Sequence, residues 1–396
     1  MRRSTLATAL VAVFLSYLGT PAPVKAGGYD ETDLVANKLK LTDKNGIVHN
    51  ADVIDQNLKN PWGLTAGPTT PFWVSDNNAG VATLYGVAVG GKSVTINPLV
   101  VSIPTPISSS GGAPTGAVFN IALGAGAFKI TDGIHTAPAV FLFATEDGTI
   151  VGWNPGVDPT GLFNGPNHAS TQGVIALDNS GNNFTNPNPS SQTGAVYKGL
   201  AIATDANGQT RLYATNFRSG VVEMYSSGFM ALGSGPAFVD PKLPDSYAPF
   251  NVTVLNGAVF VTYAVQDAIK HDDVAGQGHG FVDVFELDGT FRQRFAQHGQ
   301  LNSPWGVAQA PTNFGALSGD LWIGNFGNGH INAYNPDSGE FIDKVRNPKG
   351  QAIVIDGLWA LRVGNNGNGG RSDTIYFTAG PNGETDGLFG SLTPHP

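Results

Sequence analysis

Two His and three Asp fall within the fourteen residues Gln266 to His279, in a chain that holds eight His in all. An imidazole beside carboxylates suits metal ligation or general acid–base work, with the carboxylate fixing the ring's tautomer. His271 and Asp272 are therefore candidate catalytic residues, and His271, Asp272 and Asp273 are candidate metal ligands. The competing reading is a solvated lid whose charges keep it soluble. A second set comes from equivalent points of an internal repeat: Asp76, Glu146, Asn216, Gln266, Asn325 and Glu384. Acids and amides ranged around one axis offer oxygen ligands to a divalent cation such as calcium, or hydrogen bonds to a polyol. Asn and Asp at such points also serve ordinary turns, by bonding their own backbone.

Other motifs carry less. Gly86 to Ser93 (GVAVGGKS) matches the phosphate-loop pattern, which needs a following helix. Pro98 and Pro104 exclude that helix, so the stretch reads as a hairpin. No G-x-S-x-G elbow and no H-E-x-x-H occurs. Gly364 to Asp373 (GNNGNGGRSD) offers Asn and Asp oxygens to calcium but lacks the acidic spacing of an EF-hand, and reads as an inter-strand loop. With no Cys, disulfides, thiolate nucleophiles and Cys-ligated metals are excluded.

The elements that must position these residues repeat. Trp73/Tyr85, Phe141/Trp153, Tyr213/Tyr225 and Trp322/Tyr334 are each twelve apart, with Gly80, Gly148, Gly220 and Gly329 seven after the first aromatic. Phe260, Gly280 and Phe285 fit with thirteen extra residues before the Gly, and Tyr376, Gly387 and Leu392 with four. Each unit is a hairpin of aromatic and β-branched runs around turn residues. An apolar run precedes each, such as Pro61-Trp62-Gly63-Leu64, Tyr197-Lys198-Gly199-Leu200 and Pro304-Trp305-Gly306-Val307. Six such units predict an all-β fold, a six-bladed β-propeller of four-stranded antiparallel blades. Blades are expected near 61–103, 113–180, 195–240, 248–296, 303–346 and 356–394, in one domain over residues 27–396. The last unit lacks a fourth strand. Residues 32–36 are expected to supply it and close the ring.

Residues 1–26 read as a signal peptide: Arg2 and Arg3, an apolar run from Leu6 to Leu18, then Val24-Lys25-Ala26. The apolar run is too short to span a bilayer, so export to the periplasm or outside is expected, with no membrane span after cleavage. Removing Arg2, Arg3 and Lys25 takes the net charge from −9 to −12, which argues against nucleic acid as a partner.

Asn60-Pro61-Trp62-Gly63, Phe72 to Asn77, Lys270-His271-Asp272-Asp273, Gly280 to Phe285, Ser303 to Gly306, Gly324 to Gly327 and Gly387 to Gly390 carry a resemblance. The chain resembles a family of exported bacterial NHL-like six-bladed propellers over almost all of its mature length. More distantly, the blades are similar to NHL repeats and streptogramin B lyase-like propellers. The resemblance implies a fold and an export route, and no particular reaction. Some members end in a sorting tail; none follows Leu392 here, which argues against surface sorting.

Two functions stay open at this point, because propellers host both. One is binding of a small molecule, glycan, metal or protein at the channel mouth. The other is a metal-assisted lyase, lactonase or hydrolase at the same mouth.

Overall fold

The structure, a computed structural model, describes residues 27–88, 93–233 and 237–396. The expected signal peptide and Val89 to Lys92 of the phosphate-loop match lie outside these residues. The flanks of that match are strands, Val81–Val87 and Val94–Ile96, paired as a hairpin.

Six antiparallel sheets stand around a central channel as a β-propeller. Their innermost strands are Pro61–Thr65, Pro114–Phe119, Tyr197–Thr204, Tyr247–Leu255, Pro304–Gln309 and Leu358–Val363. Each pairs with the second strand of its blade, as Leu321–Asn325 does in blade five. Blade three has three strands among the described residues, and the outer strand of blade one is split into Val94–Ile96 and Val101–Ser102 around Pro98.

The repeated Gly has a specific job. Gly80, Gly148, Gly220 and Gly329 all have φ between +68° and +88°, which turns the second strand into the third without a Cβ clash. The aromatics around them pack between blades. Trp73 stacks on Phe141 at 4.3 Å between ring centroids and tilts against Trp153 at 4.7 Å, joining blade one to blade two.

Close approach governs the inner ring. A Cβ on Gly63, Gly116 or Gly306 would collide with the backbone of the next blade's inner strand. Where the repeat replaces this Gly by Asn251, the amide donates to Trp305 O at 2.8 Å and makes the same link as a hydrogen bond.

Blade six closes as the missing fourth strand requires. Tyr29–Ala36 pairs antiparallel with Leu388–Pro394, from Tyr29 opposite Pro394 to Ala36 opposite Leu388. The strand begins three residues before the expected Thr32. The Tyr29 hydroxyl donates to Phe314 O at 2.8 Å and accepts from Leu317 N at 2.9 Å, so the closing strand also grips blade five.

Candidate functional site

One residue near the start of each inner strand meets the channel axis: Trp62, Thr115, Lys198, Phe250, Trp305 and Trp359. The pairing slips by one residue at this point in most blades, as between Pro61 and Leu64 or Pro304 and Val307. Such a bulge re-aims the side chain beside it. Trp62 stacks on Trp359 at 3.5 Å and meets Trp305 edge-on at 6.1 Å and Phe250 at 6.4 Å. All four rings are buried, so they plug the channel.

Lys198 is the charged member of this layer and is 1% exposed. Its ammonium lies over the Trp62 ring at 5.0 Å and over Phe217 at 5.9 Å. It donates to Glu146 Oε1, and at 3.0 Å to Asp272 Oδ1. Burial alone would discharge it. The two carboxylates outweigh burial and hold the ammonium above the usual lysine range. Asp272 answers in kind. Burial raises its carboxyl, but His271 and Lys198 more than offset this and hold it well below the usual carboxylate range.

The pairs extend outward. Glu146 Oε2 accepts from Asn77 Nδ2 at 2.9 Å. His271 Nδ1 lies 2.9 Å from Asp272 Oδ1. Asn60 Nδ2 donates to Glu384 Oε2 at 2.7 Å while Asn60 Oδ1 accepts from the Trp359 indole at 2.9 Å. Glu384 is pushed up to about 7, first by burial and then by the charge of Glu146.

Glu146 and Asp272 thus meet at Lys198, with His271 behind Asp272 and Glu384 held nearby by Asn60. The other predicted residues do not join them. Asp76 is fully buried inside its blade, where Oδ2 accepts from Thr83 at 2.7 Å in a chain running through Tyr85 to Asp55. Asn216 donates to Glu223 at 2.8 Å and accepts from Ser219 N. Gln266 donates to Phe217 O, and Asn325 donates to Gln300 O at 2.8 Å. Asn216 serves its own turn, the alternative the sequence offered for Asn, whereas Gln266 ties blade four to blade three and Asn325 ties its strand to the preceding loop. Asp273 is drawn into a backbone bridge with Gln266, and burial raises its carboxyl. Gly364 to Asp373 is a loop stapled by Asn365, which donates to Gly67 O and Thr70 O of blade one.

Sequence reasoning missed Lys198, Asn60 and Asn77. The signal for Lys198 was present: it holds the repeat position that is Trp, Thr or Phe in every other blade.

One ligand atom each from Glu146, His271 and Asp272 lies within 4.8 Å of the others, which suits a cation. Lys198 already sits against two of the three. Beside them is a cavity of about 470 Å³ bordered by Asn77, Asn183, Phe184, Gln192 and Arg218. On the far side of the plug the channel opens into a cavity of about 700 Å³ walled by the inner strands. Arg362 is the charged residue of its wall, donating to Ala66 O at 3.2 Å.

No family model matches this chain. Uncharacterized protein R648 of Acanthamoeba polyphaga mimivirus is 30% identical over 346 residues, covering 85% of this chain and 76% of that protein. The same virus's uncharacterized protein L690 is 30% identical over 357 residues, covering 88% and 84%. This chain belongs to their family. The R648 family is viral in both of these relatives, where the sequence resemblance pointed to bacteria. Among solved structures, the soluble aldose sugar dehydrogenase of Escherichia coli superposes with a TM-score of 0.52 at 10% identity, over 93% of this chain and 100% of that one. The α-L-arabinanase of Penicillium chrysogenum gives 0.52 at 12% identity, over 92% and 98%. At these identities the likeness is one of fold.

The buried carboxyls set the pH dependence expected of this R648-family propeller. Burial raises Asp76, Asp147, Asp283 and Glu384, the last three to about 6, 7 and 7. A carboxyl with a raised folded pKa binds more protons folded than unfolded. Its contribution is full below the unfolded value and is lost as pH rises through the folded value. The melting temperature is therefore expected to fall by several degrees between pH 5 and pH 8. A flat or rising profile in calorimetry contradicts this.

Proposed function

We propose that this protein is an exported ligand-binding propeller whose mouth around Lys198 takes an uncharged, hydroxyl-rich small molecule, a saccharide or polyol. The observation that carries the reading is charge pairing on the axis. Lys198 pairs with Glu146 and Asp272, and Asp272 lies against His271, so these side chains are engaged with one another rather than presented to an ion. The adjoining cavity is bordered by a polar network, in which Arg218 donates to Asn183 and Gln192 and Asn77 donates to Glu146. A hydroxyl both donates and accepts, and so matches such a mixed array. Phe184 offers an apolar face, and about 470 Å³ falls within the range of small-molecule sites. The composition of residues 1–26 supports export.

Calorimetric titration of the mature protein with a panel of mono- and disaccharides tests this. Saturable binding is expected, weakened at least tenfold in Asn77→Ala and in Gln192→Ala and unchanged in Arg362→Gln. A panel with no binder, or binding indifferent to both Ala variants, sinks it.

A metal-assisted lyase, lactonase or hydrolase is the second reading, favoured by the clustered ligand atoms of Glu146, His271 and Asp272. It requires a cation to displace Lys198. Glu384, near neutrality in its protonation, would be its proton donor.

A further inference from the structure

A second cluster lies away from the channel, where the closing strand meets the short hairpin Leu41–Thr42 and Val48–His49. Glu31 and Asp33 are two apart on the closing strand, so both side chains fall on one face. His49 comes to that face from the hairpin. Its Nδ1 is 3.0 Å from Asp33 Oδ1 and 4.0 Å from Glu31 Oε1. One ligand atom from each of the three lies within 4.8 Å of the others. On the opposite edge of the ring, Nε2 faces Asp43 Oδ2 at 3.9 Å.

We propose that Glu31, Asp33 and His49 Nδ1 bind a divalent transition metal of the zinc class, with Asp43 orienting the imidazole, and that this metal clasps the closing strand of the propeller.

Three observations support the site. The first is charge. Three carboxylates surround one imidazole, and none of the three pairs with a Lys or Arg among the described residues. The side chains are 25%, 16% and 0% exposed for Glu31, Asp33 and Asp43. Even with the imidazole protonated, the excess is negative, and buried excess charge is costly without a counter-ion. The second is His49 itself, which is 2% exposed and keeps Nε2 without a hydrogen-bond partner. A metal on Nδ1 fixes the proton on Nε2, and that N–H then donates to Asp43 once the 3.9 Å gap closes by about 1 Å. This is the usual carboxylate–histidine–metal relay. The third is rigidity. Asp43 Oδ1 accepts from Asn45 N at 2.9 Å and Ile47 N at 2.8 Å, and Asp33 Oδ2 accepts from Asn50 N at 3.0 Å. Asp33 and Asp43 are thus each anchored by backbone N–H groups through one oxygen while the other faces the ring, and Asp43 Oδ2 also accepts from Asn45 Nδ2 at 3.3 Å. Ligands about 2.0–2.2 Å from zinc lie roughly 3.4 Å apart in tetrahedral geometry. The observed 3.0 Å and 4.0 Å bracket that spacing. A mixed set of one imidazole and carboxylates favours zinc or manganese over calcium.

The test uses the mature protein, stripped with EDTA and then titrated separately with zinc, manganese and calcium chloride. Metal content after desalting and melting temperature are read. One equivalent of zinc is expected to stay bound and to raise the melting temperature by several degrees, with calcium giving no retained ion. His49→Gln should lose the zinc, Asp43→Asn should weaken it at least tenfold, and His271→Gln should keep it, which separates this site from the channel mouth. Should His49→Gln fail to fold, Glu31→Gln and Asp33→Asn give the same reading. No retained metal in the native chain, or full retention in the ligand variants, overturns the proposal.

Discussion

A chain lacking residues 27–36 is expected to show no cooperative thermal transition. These residues supply the outer strand of blade six and bury Tyr29, Leu34, Val35 and Ala36. At about 1.5–3 kcal/mol for each large apolar side chain, their loss approaches the 5–15 kcal/mol that holds an ordinary domain together. The deletion also bares the length of Leu388–Pro394 as an unpaired edge and removes the Tyr29 bonds to blade five. An exposed strand of that kind invites pairing between molecules. Tyr29→Ala alone is expected to cost about 3–5 kcal/mol, since a core aromatic is removed. Calorimetry of both variants checks this. An unchanged melting temperature in the deletion would show that the ring does not depend on its clasp.

The second large effect is at the plug. Lys198→Met is expected to destabilise the protein by about 3–5 kcal/mol, because Glu146, only 13% exposed, is left without the ammonium it pairs with. For a domain of this size that is a fall of about 5 °C. The double variant Lys198→Met with Glu146→Gln should recover most of the loss, since two residues in one network do not add independently. Equal losses in single and double variants would mean that Lys198 acts by packing alone.

The blades were legible in the sequence for a physical reason. A Gly forced to positive φ cannot be replaced cheaply, so it keeps its distance from the aromatics that pack the blades, as Gly329 does between Trp322 and Tyr334. The closing strand was legible by subtraction, because the unit after Trp359 runs out of chain before a fourth strand. The mouth was half legible. Glu146, Glu384, His271 and Asp272 meet because their turns share one face of the ring. Asn216 and Asn325 sit at matching repeat points, yet their amides are consumed, by Ser219 N in the first case and by Asn328 Oδ1 and Gln300 O in the second. A repeat position fixes where a Cα falls, whereas a bulge decides where the side chain points. That is why the repeat marks Lys198 as the odd residue at its position without placing its ammonium on the axis. The cluster at His49 was invisible because its members come from a strand and a hairpin that carry no repeat.

The aromatic plug makes the channel a cul-de-sac. A molecule that enters past Arg362 has to leave by the way it came, and a competitor arriving at the Lys198 side cannot push it out from behind. Exchange at the two faces of the disc is therefore kinetically independent, with each residence time set by its own entrance.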